Sequence, residues 1–258
     1  MIELPRIEDP RGNLSFIEHG AGGDCPFEIE KVSWIYDVPA GTVRRRPAMH
    51  FPEMVVAMSG SFDVSKGSER VHLNRCDRAE AINSGELTEL NNFSSNSVAM
   101  ILSGGAPTQH CNKRTPTSHS ESSLDSVEIM TLPRIRHDNG SLTMVDNSAA
   151  WMPFAARRVF YLFDVPADAE RGGHSHHQAQ EIMVALTGSF DVVLDDGKQP
   201  PRRYTLNRPY QGLYIPTGIW RILDNFSGGA VCLVITSERY SEADYVRDYE
   251  TFKSLTAK

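Results

Sequence analysis

From Val159 onward the chain alternates short apolar runs with turn residues. Val159 to Val165, Glu181 to Leu186, Phe190 to Leu194, Arg203 to Leu206, Gly212 to Ile215 and Val231 to Thr236 are rich in β-branched and aromatic residues, and Gly, Pro, Asp or Asn separate them. Each run predicts a strand, and Asp195-Asp196-Gly197 predicts a hairpin turn. No helical periodicity intervenes, so the series predicts an all-β fold, an antiparallel barrel or jelly roll. Only the tail, SEADYVRDYETFKSL, reads as a helix, capped by Ser241.

The pattern is written twice. LPRIEDPRGNLSFIE from Leu4 returns as LPRIRHDNGSLTMVD from Leu132, VSWIYDVP from Val32 as VFYLFDVP from Val159, and AMSGSFDV from Ala57 as ALTGSFDV from Ala185. Further on, LNR recurs at Leu73 and Leu206, and NNFS at Asn91 returns as DNFS at Asp224. The offset widens after the third match because the second copy has a longer hairpin turn, Asp195 to Pro201. Matches in fixed order mean that a whole domain was duplicated, and two copies are too few for a solenoid. The predicted organisation is a first domain over 1–104, a linker over 105–127 and a second domain over 128–258. The linker is rich in Ser, Thr and Pro, and its His110 and His119 read as solvated loop residues.

Composition narrows the function. With 258 residues, 40% of them apolar, and a net charge of -7, the chain has cores to fill and no basic block for nucleic acid. The longest apolar runs are too short to span a membrane, and MIELPRIEDPRG is not a signal peptide, so the expected setting is cytoplasmic. Cys25, Cys76, Cys111 and Cys232 lack any CxxC spacing and read as reduced thiols.

The candidate chemistry lies in RGGHSHHQAQEIMVALTG, Arg171 to Gly188. On a strand, His174 and His176 point to one face, so two imidazoles converge on one small ligand, while His177 points away. Glu181 and Gly188 complete a spacing that resembles the first signature of the cupins, small β-barrels with a site in the barrel mouth. Most cupins hold a divalent metal with these residues and a further histidine. In GLYIPTGIWRILDN, which resembles the second signature, Trp220 and Arg221 stand where that histidine belongs. Neither metal nor other cofactor is therefore expected, and the histidines are read as proton-transfer groups.

RGGHSH, GSFDVVLDDG, LNRPYQGLYIPTGIWR, DNFSGGAVCLV and SERYSEADYVRDYETF together resemble the WxcM-like group of nucleotide-sugar 3,4-ketoisomerases, which includes FdtA and QdtA. The resemblance implies conversion of a dTDP-4-keto-6-deoxyhexose into its 3-keto isomer, for 3-amino-3,6-dideoxy sugars. It places the histidine pair on His174 and His176. A base removes the C3 proton, an enediolate forms across C3 and C4, and reprotonation at C4 moves the ketone. Tyr161 is the expected third catalytic member, with a core or rim position as its alternative. Arg171 is assigned to the diphosphate or a sugar oxygen, and Glu181 to orienting a histidine. Arg208, Tyr210, Tyr214, Trp220 and Arg221 offer planar and cationic groups for a thymine ring and a pyrophosphate.

In the first copy the histidine positions become Arg46 and Ala48, with His50 nearby; LYIPTGIW becomes EAINSGEL, and Glu53 alone is retained. That copy is expected to be a structural partner, making an intrachain pseudo-dimer in which one copy lends its first strand to the other; a ligand held by Arg44, Arg45 and Arg46 is the alternative. Further association into a homodimer stays open. Rival functions are a 3,5-epimerase-like cupin, a noncatalytic nucleotide-sugar-binding bicupin and a metal-dependent dioxygenase.

Overall fold

A computed structural model of the chain describes residues 1–20, 24–105 and 114–257. Antiparallel strands dominate it, with one α-helix among the described residues, Tyr249–Thr256. This is the all-β cupin architecture, and the strands fall where alternation places them: Val231–Thr236 matches end to end, and the others shift only at their ends. The longer turn of the second copy is also present, between Phe190–Asp195 and Arg202–Leu206; its counterpart joins Phe62–Lys66 directly to Glu69–Leu73.

The chain forms two compact units. One holds residues 1–6, 15–111 and 132–152, the other 7–14, 112–131 and 153–258. In the first, a sheet containing Lys31–Tyr36, Glu53–Ser59 and Val98–Ser103 faces a four-stranded sheet that includes Arg44–Arg46 and Thr88–Asn91. Ile35, Val55 and Ile101 pack there with Phe62, Val64 and Leu90. In the second, Glu128–Thr131, Gln211–Ile215, Glu181–Thr187, Val231–Thr236 and Arg158–Phe163 make one sheet. Arg202–Leu206, Phe190–Asp195, Trp220–Asp224, Arg171–His176 and Tyr245–Val246 make the other.

These units do not follow the boundaries between the copies. Gly140–Asp146, from the opening of the second copy, pairs along Lys31–Tyr36, with Leu142 opposite Ile35 and Val145 opposite Val32. Residues 7–14 belong to the second unit, where Asn13 Nδ2 donates to Asp164 Oδ2 at 3.1 Å. Gly12 has φ +110, and a Cβ there would come within 2.6 Å of Val165.

Two expectations need correction. His119 is buried, its Nε2 2.9 Å from Ser175 Oγ. Around it Ser122 Oγ donates to the Thr217 carbonyl, and the Leu124 amide donates to Asp196 Oδ2. The small hydroxyl residues that read as a solvated linker here satisfy turn backbone of the second unit. His110 and Cys111 lie outside the described residues.

The tail is the second correction. Ser241 makes no capping bond; it precedes only a 3₁₀ turn, Glu242–Asp244. Tyr245–Val246 then adds a strand, with Ser175 opposite Val246 and His176 opposite Tyr245. The helix starts later, capped by Asp248, whose side chain accepts from the Thr251 amide. An aromatic followed by a β-branched residue gains more from the sheet edge than from an early helical turn. No helix among the described residues is long and apolar enough to cross a membrane.

Candidate active site

The histidine strand is aimed by glycines. Gly172 and Gly173 have φ +84 and +68, and between Gly172 and His174 the register against Trp220–Asp224 shifts. A Cβ on Gly172 would lie 2.7 Å from the Arg221 carbonyl oxygen, so only glycine permits this approach. The shift sets His174 opposite Arg221. The His174 and His176 rings then share a face, with centroids 5.0 Å apart and planes at 76°.

Ladder register completes the set. Glu181 lies opposite both Ile215 and Thr236, and Thr236 lies opposite Arg158, so Glu181 and Arg158 share one sheet face. Glu181 is closed to solvent; its Oε1 is 3.2 Å from His176 Nε2 and its Oε2 3.3 Å from Arg221 Nε. On the other side of His176, Nδ1 is 3.0 Å from Asp244 Oδ2. Asp244 is itself held by the amides of Gln178 and Ala179. Neither ring nitrogen of His176 is aligned as a hydrogen bond, although both sit at ion-pair distance from a carboxylate. The Tyr245 ring covers His176 at 4.3 Å and His174 at 5.0 Å. The Arg158 guanidinium lies over Phe160 and Tyr240.

Burial raises the Glu181 carboxyl, but Arg221 and the histidines outweigh it and hold the group at about 2. Burial pushes His174 down to about 3, and Arg221 and His176 push the same way, so this ring is neutral at neutral pH. Burial also raises Asp244, but its contact with His176 leaves it below the ordinary carboxylate range. Arg221 is fully buried, and Nη1 and Nη2 have no hydrogen-bond partner among the described residues.

Of the residues expected at the site, His174, His176, Glu181 and Arg221 come together. Arg171 stands at the start of the same strand, half-buried, and its Nη1 donates to the Gly12 carbonyl. Tyr161 does not join: alternation from Arg158 and Phe160 puts it on the opposite face of its strand, fully buried. Tyr214 is likewise reversed. It lies opposite Ile182, a face away from Glu181, and its hydroxyl donates to Gln180.

Trp220 turns away from Arg221 into a cluster with Val246 and Phe252, anchoring the helix. Arg208 and Tyr210 precede Gln211–Ile215, whose Ile215 end meets Glu181, so a strand length of about 13 Å separates them from it. Arg208 is exposed. Sequence reasoning missed Arg158, Asp244 and Tyr245. Period two counted along RVFYLF would have exposed Arg158, whereas the other two were concealed by the helical reading of the tail.

His174, His176 and Glu181 also present ligand atoms within 4.8 Å of one another. Their types suit a facial metal triad. Arg221, however, stands against the same carboxylate and already balances its charge, so a divalent cation on Glu181 would face a buried guanidinium. The donor types fit a metal and the local charge does not.

Comparison with known proteins agrees with this architecture. The family model described as FdtA: WxcM-like, C-terminal matches residues 1–106 and 125–257. The TDP-4-oxo-6-deoxy-alpha-D-glucose-3,4-oxoisomerase of Aneurinibacillus thermoaerophilus is 35% identical over 131 residues, 51% of this chain and 93% of that protein. A 3,4-ketoisomerase structure from Helicobacter canadensis is 34% identical with a TM-score of 0.50, covering 52% of this chain and 98% of its own. The QdtA sugar 3,4-ketoisomerase of Thermoanaerobacterium thermosaccharolyticum, solved in complex with TDP, is 32% identical with a TM-score of 0.50, covering 52% of this chain and 97% of its own.

Proposed function

Because the chain belongs to the WxcM-like, C-terminal family, we propose that its second unit is a 3,4-ketoisomerase acting on dTDP-4-keto-6-deoxyglucose. The observation that carries this reading is the pair of buried Arg221 nitrogens, without a hydrogen-bond partner among the described residues, beside two imidazoles of one strand. A cationic donor set in a dry site is what an enediolate requires. His176 takes the C3 proton, and the carboxylates of Glu181 and Asp244 compensate the charge this places on its ring. Neutral His174 and Arg221 donate to the oxygens at C3 and C4, on which negative charge develops. Return of a proton to C4, with the hydroxyl proton passing from the oxygen at C3 to that at C4, leaves the ketone at C3, so the step is redox-neutral within the substrate. Arg171 lies at the strand's entry, where a diphosphate would meet it.

The test is proton NMR of dTDP-4-keto-6-deoxyglucose with the protein in deuterated buffer. Loss of the C3 proton signal with appearance of a 3-keto sugar is the expected result. Binding without exchange at C3 would reduce the second unit to a sugar-nucleotide-binding module.

A further inference from the structure

The first unit carries an open pocket of about 630 Å³, lined in part by Arg44–Arg46, the segment that aligns with the histidine strand of the second unit. Lys31, Arg44, Arg45 and Arg46 line it with His137, against only Glu53 and Asp138 as lining carboxylates. The cations differ in how far they are neutralised. Lys31 is paired with Asp146, exposed Arg45 with Glu89, and Arg46 with buried Glu53 at 2.8 Å. Arg44 is half-buried, and its hydrogen bonds run to the Asn139 carbonyl at 2.7 Å and the Asn139 Oδ1 at 3.2 Å, both neutral oxygens. Burial and the neighbouring Arg46 both act against the Arg44 charge. Arg46 Nη1 is buried with no hydrogen-bond partner among the described residues.

Buried N–H groups without acceptors are costly, and a guanidinium without a counter-charge more so. One of each lies here, two residues apart on one strand: an Arg46 N–H without an acceptor and an Arg44 guanidinium whose acceptors are neutral. Apolar side chains line it as well, Met49, Phe51, Leu142 and Met144 among them. The proton-transfer residues of the second unit have no equivalents: Arg46 replaces His174 and Thr88 replaces Arg221 in the aligned copies. A pocket lined by cations and lacking the acid and base of the other copy is suited to holding an anion without transforming it.

We propose that this cavity is a noncatalytic binding site for a phosphorylated small molecule, its phosphate on Arg44 and Arg46 and its apolar body against Met49, Phe51 and Met144. Guanidinium forks match phosphate oxygens in geometry and charge. The ligand need not be the substrate of the second unit, and the proposal stands whether or not that unit is an isomerase.

The site can be read separately from the other unit by NMR of the full chain with ¹³C-methyl methionine, assigning Met49 and Met144 by substitution. The probes are phenyl phosphate and benzoate, at constant ionic strength. Phenyl phosphate is expected to shift both methyl signals saturably, with about tenfold weaker affinity in Arg44→Gln and partial recovery in Arg44→Lys. Recovery in the lysine variant separates loss of charge from loss of fold. No shift in the wild-type chain, equal affinity in Arg44→Gln, or tighter binding of benzoate than of phenyl phosphate would each overturn the proposal.

Discussion

Arg221 Nε lies 3.3 Å from Glu181 Oε2, and both side chains are closed to solvent. The first unit keeps the same kind of pair by another route: Glu53 occupies the place of Glu181, and its guanidinium comes from Arg46 on a different strand, at 2.8 Å. A buried carboxylate retained in both copies has thus kept a cation, though not the same one. Removing one partner of such a pair strands the other in a low-dielectric interior. Arg221→Leu is therefore expected to cost about 3 to 5 kcal/mol of stability, measured by urea denaturation. A loss below about 1 kcal/mol, typical of an exposed pair, would contradict it.

The acid dependence of stability has a predictable sign. Glu181 is held at about 2 in the folded chain against an ordinary 4.5, so its contribution is present above pH 4.5 and lost as pH falls toward 2. His119, pushed by burial to about 4, and His174, at about 3, resist protonation when folded. The unfolded chain binds those protons from pH 6.5 downward, so stability declines from there. The urea midpoint should fall between pH 7 and pH 5, and less steeply in His119→Gln. A flat midpoint over that range would mean that these imidazoles are freely solvated.

His176→Asn keeps the size and polarity of the ring but cannot take a proton. It should lose turnover by at least about 10²-fold while nucleotide affinity stays near that of the parent. His50, in the first copy, is exposed, and the proposed mechanism gives it no task. His50→Asn should leave both turnover and stability within about 0.5 kcal/mol.

Asp244 lies 3.0 Å from His176 Nδ1, and the proposed mechanism gives it a task on that ring rather than on substrate. Asp244→Asn should lower kcat with little change in KM and displace the pH profile of turnover, a pattern that a purely structural loss would not produce. An unchanged pH profile would remove Asp244 from the proton path.

Tyr161→Phe and Gly172→Ala separate placement from chemistry. The first alters a hydroxyl on the far face of its strand and should leave kcat within about twofold. The second forces a Cβ against the Arg221 carbonyl at positive φ, at a cost of about 1 to 3 kcal/mol, and should impair turnover by displacing His174. Circular dichroism melts with steady-state kinetics would check both.

Much of this was legible in sequence because a half-buried sheet repeats every second residue and a duplicated chain repeats its turns. His174, His176 and Glu181 could be grouped from spacing alone, and the family resemblance was legible over roughly Leu132 to Phe252. The rest depends on contacts distant in sequence. Tyr161, Tyr214 and Trp220 were chosen by residue type, yet which face each presents depends on register against strands distant in sequence, and a one-residue step reverses it. Asp244 and Tyr245 were concealed because SEADY has helical composition, and only the open edge of the histidine strand makes it a strand. His119 was discounted for its hydrophilic neighbours, although those hydroxyls find backbone partners far along the chain.

The mixed parentage of the two units bears on how the chain is made. Synthesis runs from the amino end, but the first unit takes in residues 132–152 and the second takes in 7–14. When the ribosome has finished the first copy, the strand that will lie beside Lys31–Tyr36 has not been polymerised. The segment Ile7–Leu14, already outside, has no unit to join until residues 153–258 follow. The first copy therefore emerges with an open sheet edge beside Lys31–Tyr36, and its closure waits on translation of Gly140–Asp146.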